Sequence, residues 1–182
     1  MTDSSPQPDT TDLRSGAALN DALLAVVALV GRWRGQGQGH VGSTGQDFRY
    51  GQEITFAHDG RSFLAYESRT WLLAEDGTTL RPAFRESGFW RPGAGPDDIE
   101  VQLATAAGIV EIFEGTAGDN LWELRATGVG MTATARRVAG ERRIYAVTPA
   151  TGSVSDVLSY ATELQLPDRE PEPHLNGRLQ RV

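Results

Sequence analysis

The sequence predicts an all-β fold, an antiparallel up-and-down barrel of roughly ten strands with a short helix at its N-terminal side. Three observations support this prediction. Short segments of alternating apolar and polar residues recur along the chain, turn-forming residues separate them about every 8–12 residues, and a glycine-rich segment begins the series. Closure is favoured because it removes exposed strand edges. A barrel of about ten strands is wider than one of ~8, so it should enclose a ligand cavity.

Residues 31–40 are predicted to form the first strand, which coils sharply. Glycine occupies every second position from Gly35 to Gly39, and Trp33 precedes the run. Alternation is the period of a strand, and glycine inside a strand marks a bend, a bulge or the close approach of another segment. Trp33 is predicted to close the bottom of the barrel. The alternative is a flexible glycine-rich loop with an isolated tryptophan.

The segment before this strand is predicted to contain a tail and a helix. Residues 1–15 are rich in Thr, Ser, Pro, Asp and Gln, which predicts a disordered tail before one domain over residues 16–182. Apolar residues at helical spacing then predict an amphipathic helix over residues 17–29 that ends at Gly31 and covers one end of the barrel.

The rest of the chain reads as strands separated by tight turns. The predicted segments are 48–56, 62–73, 84–90, 99–103, 109–115, 121–127, 131–138, 142–147, 154–164 and 174–182. We find no internal repeat of fixed period, so the strands are expected to form one continuous barrel.

Composition excludes several classes of site and partner. The chain has 182 residues, no cysteine and a formal net charge of −7. The lack of cysteine excludes disulfides, thiolate metal sites and a cysteine nucleophile; it fits a reducing compartment, so we expect a cytoplasmic location. The negative charge argues against a nucleic-acid partner. We find neither a secretory signal nor an apolar run long enough to span a membrane, so no membrane partner is expected.

Two terminal motifs make the sequence resemble the nitrobindin family. They are Gly31-x-Trp33-x-Gly35-x-Gly37 near the start, and His174-Leu175 in a last strand that ends Leu179-x-Arg181. The internal segments Phe48–Glu53, Phe63–Tyr66 and Gly108–Glu111 are also similar to those of the family. The resemblance extends over about residues 19–182 of the printed sequence.

The resemblance implies a calycin- or lipocalin-like barrel that binds haem b, with ferric iron held by one histidine and an open sixth position. It also implies isomerisation of peroxynitrite to nitrate and binding of nitric oxide. The expected partners are therefore these small molecules, with a homodimer as one possible assembly. The expected chemistry is Lewis-acid activation of the peroxynitrite anion, which requires no protein base.

His174 is the axial ligand that the resemblance implies. Of the other two histidines, His58 lies in a His-Asp-Gly turn and is predicted to be solvated, and His40 is predicted to lie exposed at the barrel rim. Pro173 stiffens the entry to the last strand. Strict alternation with Leu175 inward would turn His174 outward. Either a bulge or an irregular entry re-aims it, or the other face of the strand is the inner one.

The resemblance implies two further cofactor contacts. The family carries a threonine near the haem after the glycine strand, and Thr44 is the nearest match, although the family's Tyr-Pro pair is missing here. The family's Thr-Ala-Lys in a late strand reads Thr134-Ala135-Arg136, and Arg136 could pair with a haem propionate. A solvated strand arginine is an equal alternative. Residues 165–170, before His174, also depart from the family pattern.

Two other functions remain open at this point. One is a carrier barrel for a hydrophobic small molecule, with no chemistry of its own. The other is a degenerate family member that keeps the barrel and has weak haem affinity, which the changed segments around Thr44 and over residues 165–170 would explain.

Overall fold

Ten antiparallel strands close into one barrel in the computed structural model, which describes residues 7–152 and 155–182. Neighbouring strands are consecutive in the chain, and β1 closes the barrel by pairing with β10. The strands are β1 (Gly31–Val41), β2 (Gln46–Ala57), β3 (Leu64–Leu73), β4 (Thr79–Pro92), β5 (Asp98–Thr105), β6 (Ile109–Gly118), β7 (Leu121–Met131), β8 (Gly140–Thr148), β9 (Val157–Gln165) and β10 (Glu172–Arg181). The predicted fold class is therefore confirmed.

The glycine run lies within β1, as predicted, because other groups occupy the space that its side chains would need. A Cβ atom on Gly35 would overlap the Arg178 carbonyl of β10. A Cβ atom on Gly37 or Gly39 would overlap the rings of Tyr50 and Phe48, respectively. The absence of side chains lets β1 approach both neighbouring strands closely. The alternative of a flexible loop is thus wrong.

The N-terminal helix is shorter and tighter than predicted. It is a 3₁₀-helix over Asp21–Leu29, and the Asn20 side chain accepts a hydrogen bond from Ala22 N at 3.0 Å at its start. Its buried residues, Leu23, Val26 and Leu29, recur at every third position. A 3₁₀-helix has 3.0 residues per turn, so this spacing places all three on one face. The predicted start at residue 17 was wrong because the Asn20 cap fixes a later one.

The helix covers one end of the barrel and is bonded to it. The indole N–H of Trp33 donates to Leu29 O at 2.8 Å, and that of Trp122 donates to Ala25 O at 2.8 Å. The Arg181 guanidinium donates to two carbonyls at the end of the helix and lies over the Trp33 ring, 4.0 Å from its centroid. Trp33 is fully buried, so its predicted position at the closed end is confirmed.

The described part of the N-terminal segment contacts the barrel at Thr10. Its backbone exchanges two hydrogen bonds with His58, of 2.8 and 3.0 Å. His58 is fully buried, so the prediction of a solvated turn histidine was wrong. Disorder over residues 1–15 and the domain boundary at residue 16 stay predictions. Residues 1–6 lie outside the described residues.

One predicted strand, over residues 131–138, is wrong. β7 continues to Met131 by pairing with β6, and the chain then forms a loop before β8 begins at Gly140. Val154, the first residue of another predicted strand, lies outside the described residues, and β9 begins at Val157. Among the described residues, no helix is long and apolar enough to cross a membrane.

We expect Gly35→Ala to destabilise the barrel by about 1–3 kcal/mol, the usual cost of overpacking. The added methyl would meet the backbone of Arg178 and Leu179, which cannot move aside without breaking strand pairing. Gly130→Ala is the matched control, since its nearest neighbour would be 3.9 Å away. Urea unfolding measures both. Equal stability of the two variants would contradict the close approach of β1 and β10.

Candidate functional site

A β-bulge at the start of β10 carries His174. Pro173 pairs with Glu163 and Leu175 pairs with Thr162, so His174 is the extra residue of β10 between these two pairs. The Leu175 N–H donates to the Thr162 hydroxyl at 3.2 Å. A bulge breaks strict alternation and re-aims a side chain. Of the alternatives left open by the sequence, the structure therefore shows a bulge next to Pro173.

One hydrogen bond fixes the tautomer of the half-buried His174 ring. Its Nδ1 lies 3.0 Å from the backbone oxygen of His40. A carbonyl oxygen only accepts, so the ring proton is assigned to Nδ1 and Nε2 carries the lone pair. Within residues 7–152 and 155–182, no group hydrogen-bonds Nε2. A neutral imidazole held in this way is the usual form of a metal ligand.

A cavity of about 790 Å³ lies beside His174. Its volume is within the usual range of small-molecule sites, about 300–1,000 Å³. Its lining combines an apolar part with charged residues. The apolar residues are Phe48, Leu72, Leu73, Leu80 and Leu175, and the charged residues are Asp47, Arg49, Glu75 and Glu163. The cavity therefore offers a ligand both an apolar surface and charged groups.

A chain of hydrogen bonds crosses the interior next to this cavity. The Tyr50 and Tyr160 hydroxyls are 2.5 Å apart, Tyr50 also bonds to Asn176 O at 2.8 Å, and Tyr160 bonds to the Gln52 amide at 2.6 Å. The Tyr160 hydroxyl donates to Gln52 Oε1, and the Gln52 amide N–H donates to the Ser68 hydroxyl at 2.9 Å. Burial raises the pKa of Tyr50 to about 12, so its hydroxyl stays protonated.

A second interior feature, which sequence reasoning missed, is a cluster of four charged side chains: Glu86, Glu111, Glu141 and Arg143. We call it the buried ionic cluster. Arg143 donates to both carboxylate oxygens of Glu86, at 2.8 and 3.0 Å, and to Glu141 at 2.8 Å. Its Nη2 is 3.8 Å from Glu111 Oε2. The signal that could have revealed the cluster is the placement of Glu111 and Arg143 at positions that alternation assigns to the inner face.

Burial and neighbouring charges give two of these carboxyls opposite pKa shifts. Burial alone would raise the pKa of Glu86, but the charge and hydrogen bonds of Arg143 outweigh burial and lower it. Burial, and then the negative charge of Glu141, raise the pKa of Glu111 to about 8. At neutral pH, Glu86 is therefore ionised and Glu111 is protonated.

The buried ionic cluster is adjacent to the cavity. Arg143 pairs with Thr162 across β8 and β9, and Thr162 pairs with Leu175 across β9 and β10. Thr162 and Leu175 both line the cavity. Strands are spaced by about 4.8 Å, so Arg143 lies about 10 Å from the strand that carries His174.

The other predicted site residues lie elsewhere on the same structure. His40 is at the rim, as predicted, with Nδ1 2.7 Å from Asp47 Oδ1. Thr44 is exposed in the β1–β2 turn, where its hydroxyl donates to Val41 O at 3.4 Å. Arg136 is exposed in the loop between β7 and β8, so its predicted position within a strand was wrong. Neither Thr44 nor Arg136 is among the residues that line the cavity, and their roles stay predictions.

The donor set at the cavity fits one kind of metal centre. Among the described residues, no group of three or more His, Asp or Glu side chains could hold a metal ion. His174 Nε2 is therefore a single protein ligand beside a largely apolar space. A single imidazole suits a metal that brings its remaining ligands with it, as the iron of a haem does.

Known proteins share this barrel over most of its length. The family described as "THAP4-like, heme-binding beta-barrel domain" matches residues 22–181. Peroxynitrite isomerase 2 of Rhodococcus jostii (strain RHA1) is 41% identical over 181 residues, which cover 95% of this chain and 82% of that protein. A ferric nitrobindin-like protein of Nocardia farcinica (strain IFM 10152) is 41% identical over 176 residues, 95% of this chain and 72% of that one.

A solved structure confirms the architecture. The crystal structure of Rv2717c from M. tuberculosis aligns with a TM-score of 0.74 at 30% sequence identity, covering 90% of this chain and 99% of that chain.

We expect Glu111→Gln to change how stability depends on pH. The pKa of Glu111 is raised to about 8 in the folded chain from an ordinary 4.5, so the folded state binds more protons between these values. The free energy of unfolding should therefore fall as pH rises from about 5 to 8, by up to about 1.4 kcal/mol per pH unit. The glutamine variant should lack this slope. Denaturant unfolding at several pH values measures it, and an equal slope in both proteins would contradict the protonated state of Glu111.

Proposed function

The chain belongs to the family of THAP4-like, haem-binding β-barrel domains, and on that premise we propose that it binds ferric haem b through His174 and isomerises peroxynitrite to nitrate. Relatives of about 40% identity that carry the name peroxynitrite isomerase support this activity. The observation that carries the proposal is the hydrogen bond from His174 Nδ1 to His40 O beside the cavity.

His174 would bind the iron through Nε2. The bond to His40 O fixes the ring orientation and increases the basicity of Nε2, the usual task of a group behind a metal ligand. Because the acceptor is a backbone atom of β1, the orientation of the imidazole depends on the pairing between β1 and β10 rather than on another side chain.

Ferric haem held by His174 would supply a Lewis acid for an anionic peroxide. The chain itself supplies an apolar enclosure. Phe48, Leu175 and Leu72 line the cavity and would exclude water from the reacting anion. Peroxynitrite and nitrate contain the same atoms and the same charge, so the isomerisation takes up no net proton or electron. The reaction therefore needs no general base.

The same site would bind nitric oxide, a small neutral ligand that haem iron would hold and that the apolar lining of the cavity would admit. Peroxynitrite and nitric oxide are thus the proposed small-molecule ligands. The homodimer and the cytoplasmic location expected from the sequence stay predictions.

We expect His174→Ala to abolish the Soret band of the haem-loaded protein and its acceleration of peroxynitrite decay to nitrate. The loss of haem affinity should exceed the ~10–100-fold that removal of a supporting group costs. His40→Ala is the matched control. It removes a neighbouring imidazole but keeps the backbone oxygen that accepts from His174, so it should retain haem binding.

The results of these measurements distinguish the haem-dependent isomerase from a carrier barrel and from a degenerate family member. A Soret band that persists in His174→Ala would contradict axial ligation by His174. A wild-type protein that takes up a fatty acid and no haem would favour the carrier function, which the apolar lining of the cavity allows. Weak haem uptake without isomerase activity would indicate a degenerate family member.

A further inference from the structure

The buried ionic cluster holds an excess of negative groups that the proposed reaction does not use. Three carboxyls lie within 4 Å of one guanidinium: Arg143 contacts Glu86 and Glu141 at 2.8 Å and Glu111 at 3.8 Å. All four side chains are at least nine-tenths buried. With every carboxyl ionised the cluster would carry a charge of −2, and with Glu111 protonated it carries −1. Burying an uncompensated negative charge lowers the stability of the folded chain. The cluster therefore calls for an explanation other than stability.

We propose that the buried ionic cluster sets the reduction potential of the bound haem iron and holds that iron ferric through its negative charge. This inference rests on the proposed function, since it requires haem bound at His174. Negative charge in a low-dielectric interior favours the more positive Fe(III) over Fe(II). The register connects the two sites: Arg143 pairs with Thr162, and Thr162 with Leu175, the residue that follows His174.

Two atoms of the cluster have unused bonding capacity. Glu111 Oε1 and Arg143 Nε are buried and have no hydrogen-bond partner among the described residues. Arg143 is otherwise fully engaged with Glu86 and Glu141, which leaves Glu111 as the carboxyl that can gain or lose a proton without breaking a bond to the guanidinium. The charge of the cluster therefore changes by one unit when Glu111 gains or loses a proton.

Charged groups from two strands act on Glu111: Glu141 and Arg143 of β8, and Glu86 of β4. Tyr145 and Tyr66 belong to the next layer, bonded to Arg143 and to Glu86 respectively. The register partners of Glu111 on β5 and β7, Leu103 and Val129, are apolar. Burial raises the pKa of Tyr66 and Tyr145 well away from neutrality, and that of Arg143 lies above its ordinary value because the carboxylates outweigh burial. The raised pKa of Glu111, about 8, places its titration between pH 6 and pH 9.

The coupling between proton and electron follows from this arrangement. Adding one electron to Fe(III) makes the nearby negative charge less favourable, so Glu111 binds a proton more tightly in the reduced protein. Reduction near the pKa of Glu111 is then accompanied by partial uptake of one proton at that carboxyl. As a general magnitude, a unit charge about 10–15 Å from a one-electron centre, at an effective dielectric constant near 20, changes the equilibrium by about tenfold.

The experiment is spectroelectrochemical titration of the haem-loaded chain from pH 6 to pH 9. We expect the Fe(II)/Fe(III) ratio at a fixed applied potential to be equal in the wild type and Glu111→Gln at pH 6. At pH 9, we expect it to be about tenfold lower in the wild type, which is about 59 mV for a one-electron couple. Glu114→Gln is the matched control, because Glu114 lies on the same strand but is exposed. It should follow the wild type.

A second variant covers the case in which Glu111→Gln fails to fold. Glu141→Gln removes the like charge that raises the pKa of Glu111, so the drop in the ratio should move to lower pH. Identical pH profiles in wild type, Glu111→Gln and Glu141→Gln, each with an intact Soret band, would overturn this inference and leave the proposed function standing. Absence of a Soret band in the wild type would overturn both.

Discussion

The close approach of β1 to its neighbours is the constraint on which the barrel and its site depend. Where Gly35, Gly37 and Gly39 face the interior, the space is filled by the backbone of β10 and by the rings of Tyr50 and Phe48. Side chains on this face would separate β1 from β10 and open the barrel. The same pairing of β1 with β10 brings His40 O within hydrogen-bond distance of His174 Nδ1. One strand contact therefore both closes the barrel and orients the imidazole that would bind iron.

The interior of this barrel has a closely packed apolar region at the helix end and a polar region next to the cavity. At the helix end, Trp33, Leu23 and Leu29 are fully buried and form an apolar core. Towards the cavity, polar groups replace them: the chain from Ser68 to Tyr50 and then the buried ionic cluster. A cavity for a large ligand cannot be filled by side chains, so the residues around it must be held in place by other means. Hydrogen bonds with fixed directions do this where close packing cannot.

Local sequence was sufficient for the fold but not for the site. Alternation, turn residues and the glycine run predict the barrel, because each acts within a few residues. The strand predicted at residues 131–138 failed since β7 gains its last residues from pairing with β6, a distant segment. The burial of His58 depends on its backbone pairing with Thr10, and the side-chain orientation of His174 depends on a bulge in the pairing of β10 with β9. Interactions between segments remote in the chain leave no periodic pattern in the sequence. His174 was identified by the resemblance to the nitrobindin family rather than by the spacing of residues.

The buried ionic cluster is poorly explained by stability. Replacing a buried ion pair with well-packed apolar residues is often neutral or stabilising by about 1–4 kcal/mol, so a barrel selected only to fold would gain from losing it. In the part of the chain that the structure describes, the buried Arg143 Nε and one buried oxygen of Glu111 also have no hydrogen-bond partner, which adds to the cost. The cluster lies one register pair from the cavity lining, at Thr162. A costly charge placed beside the cavity is best understood by what it does to the ligand bound there.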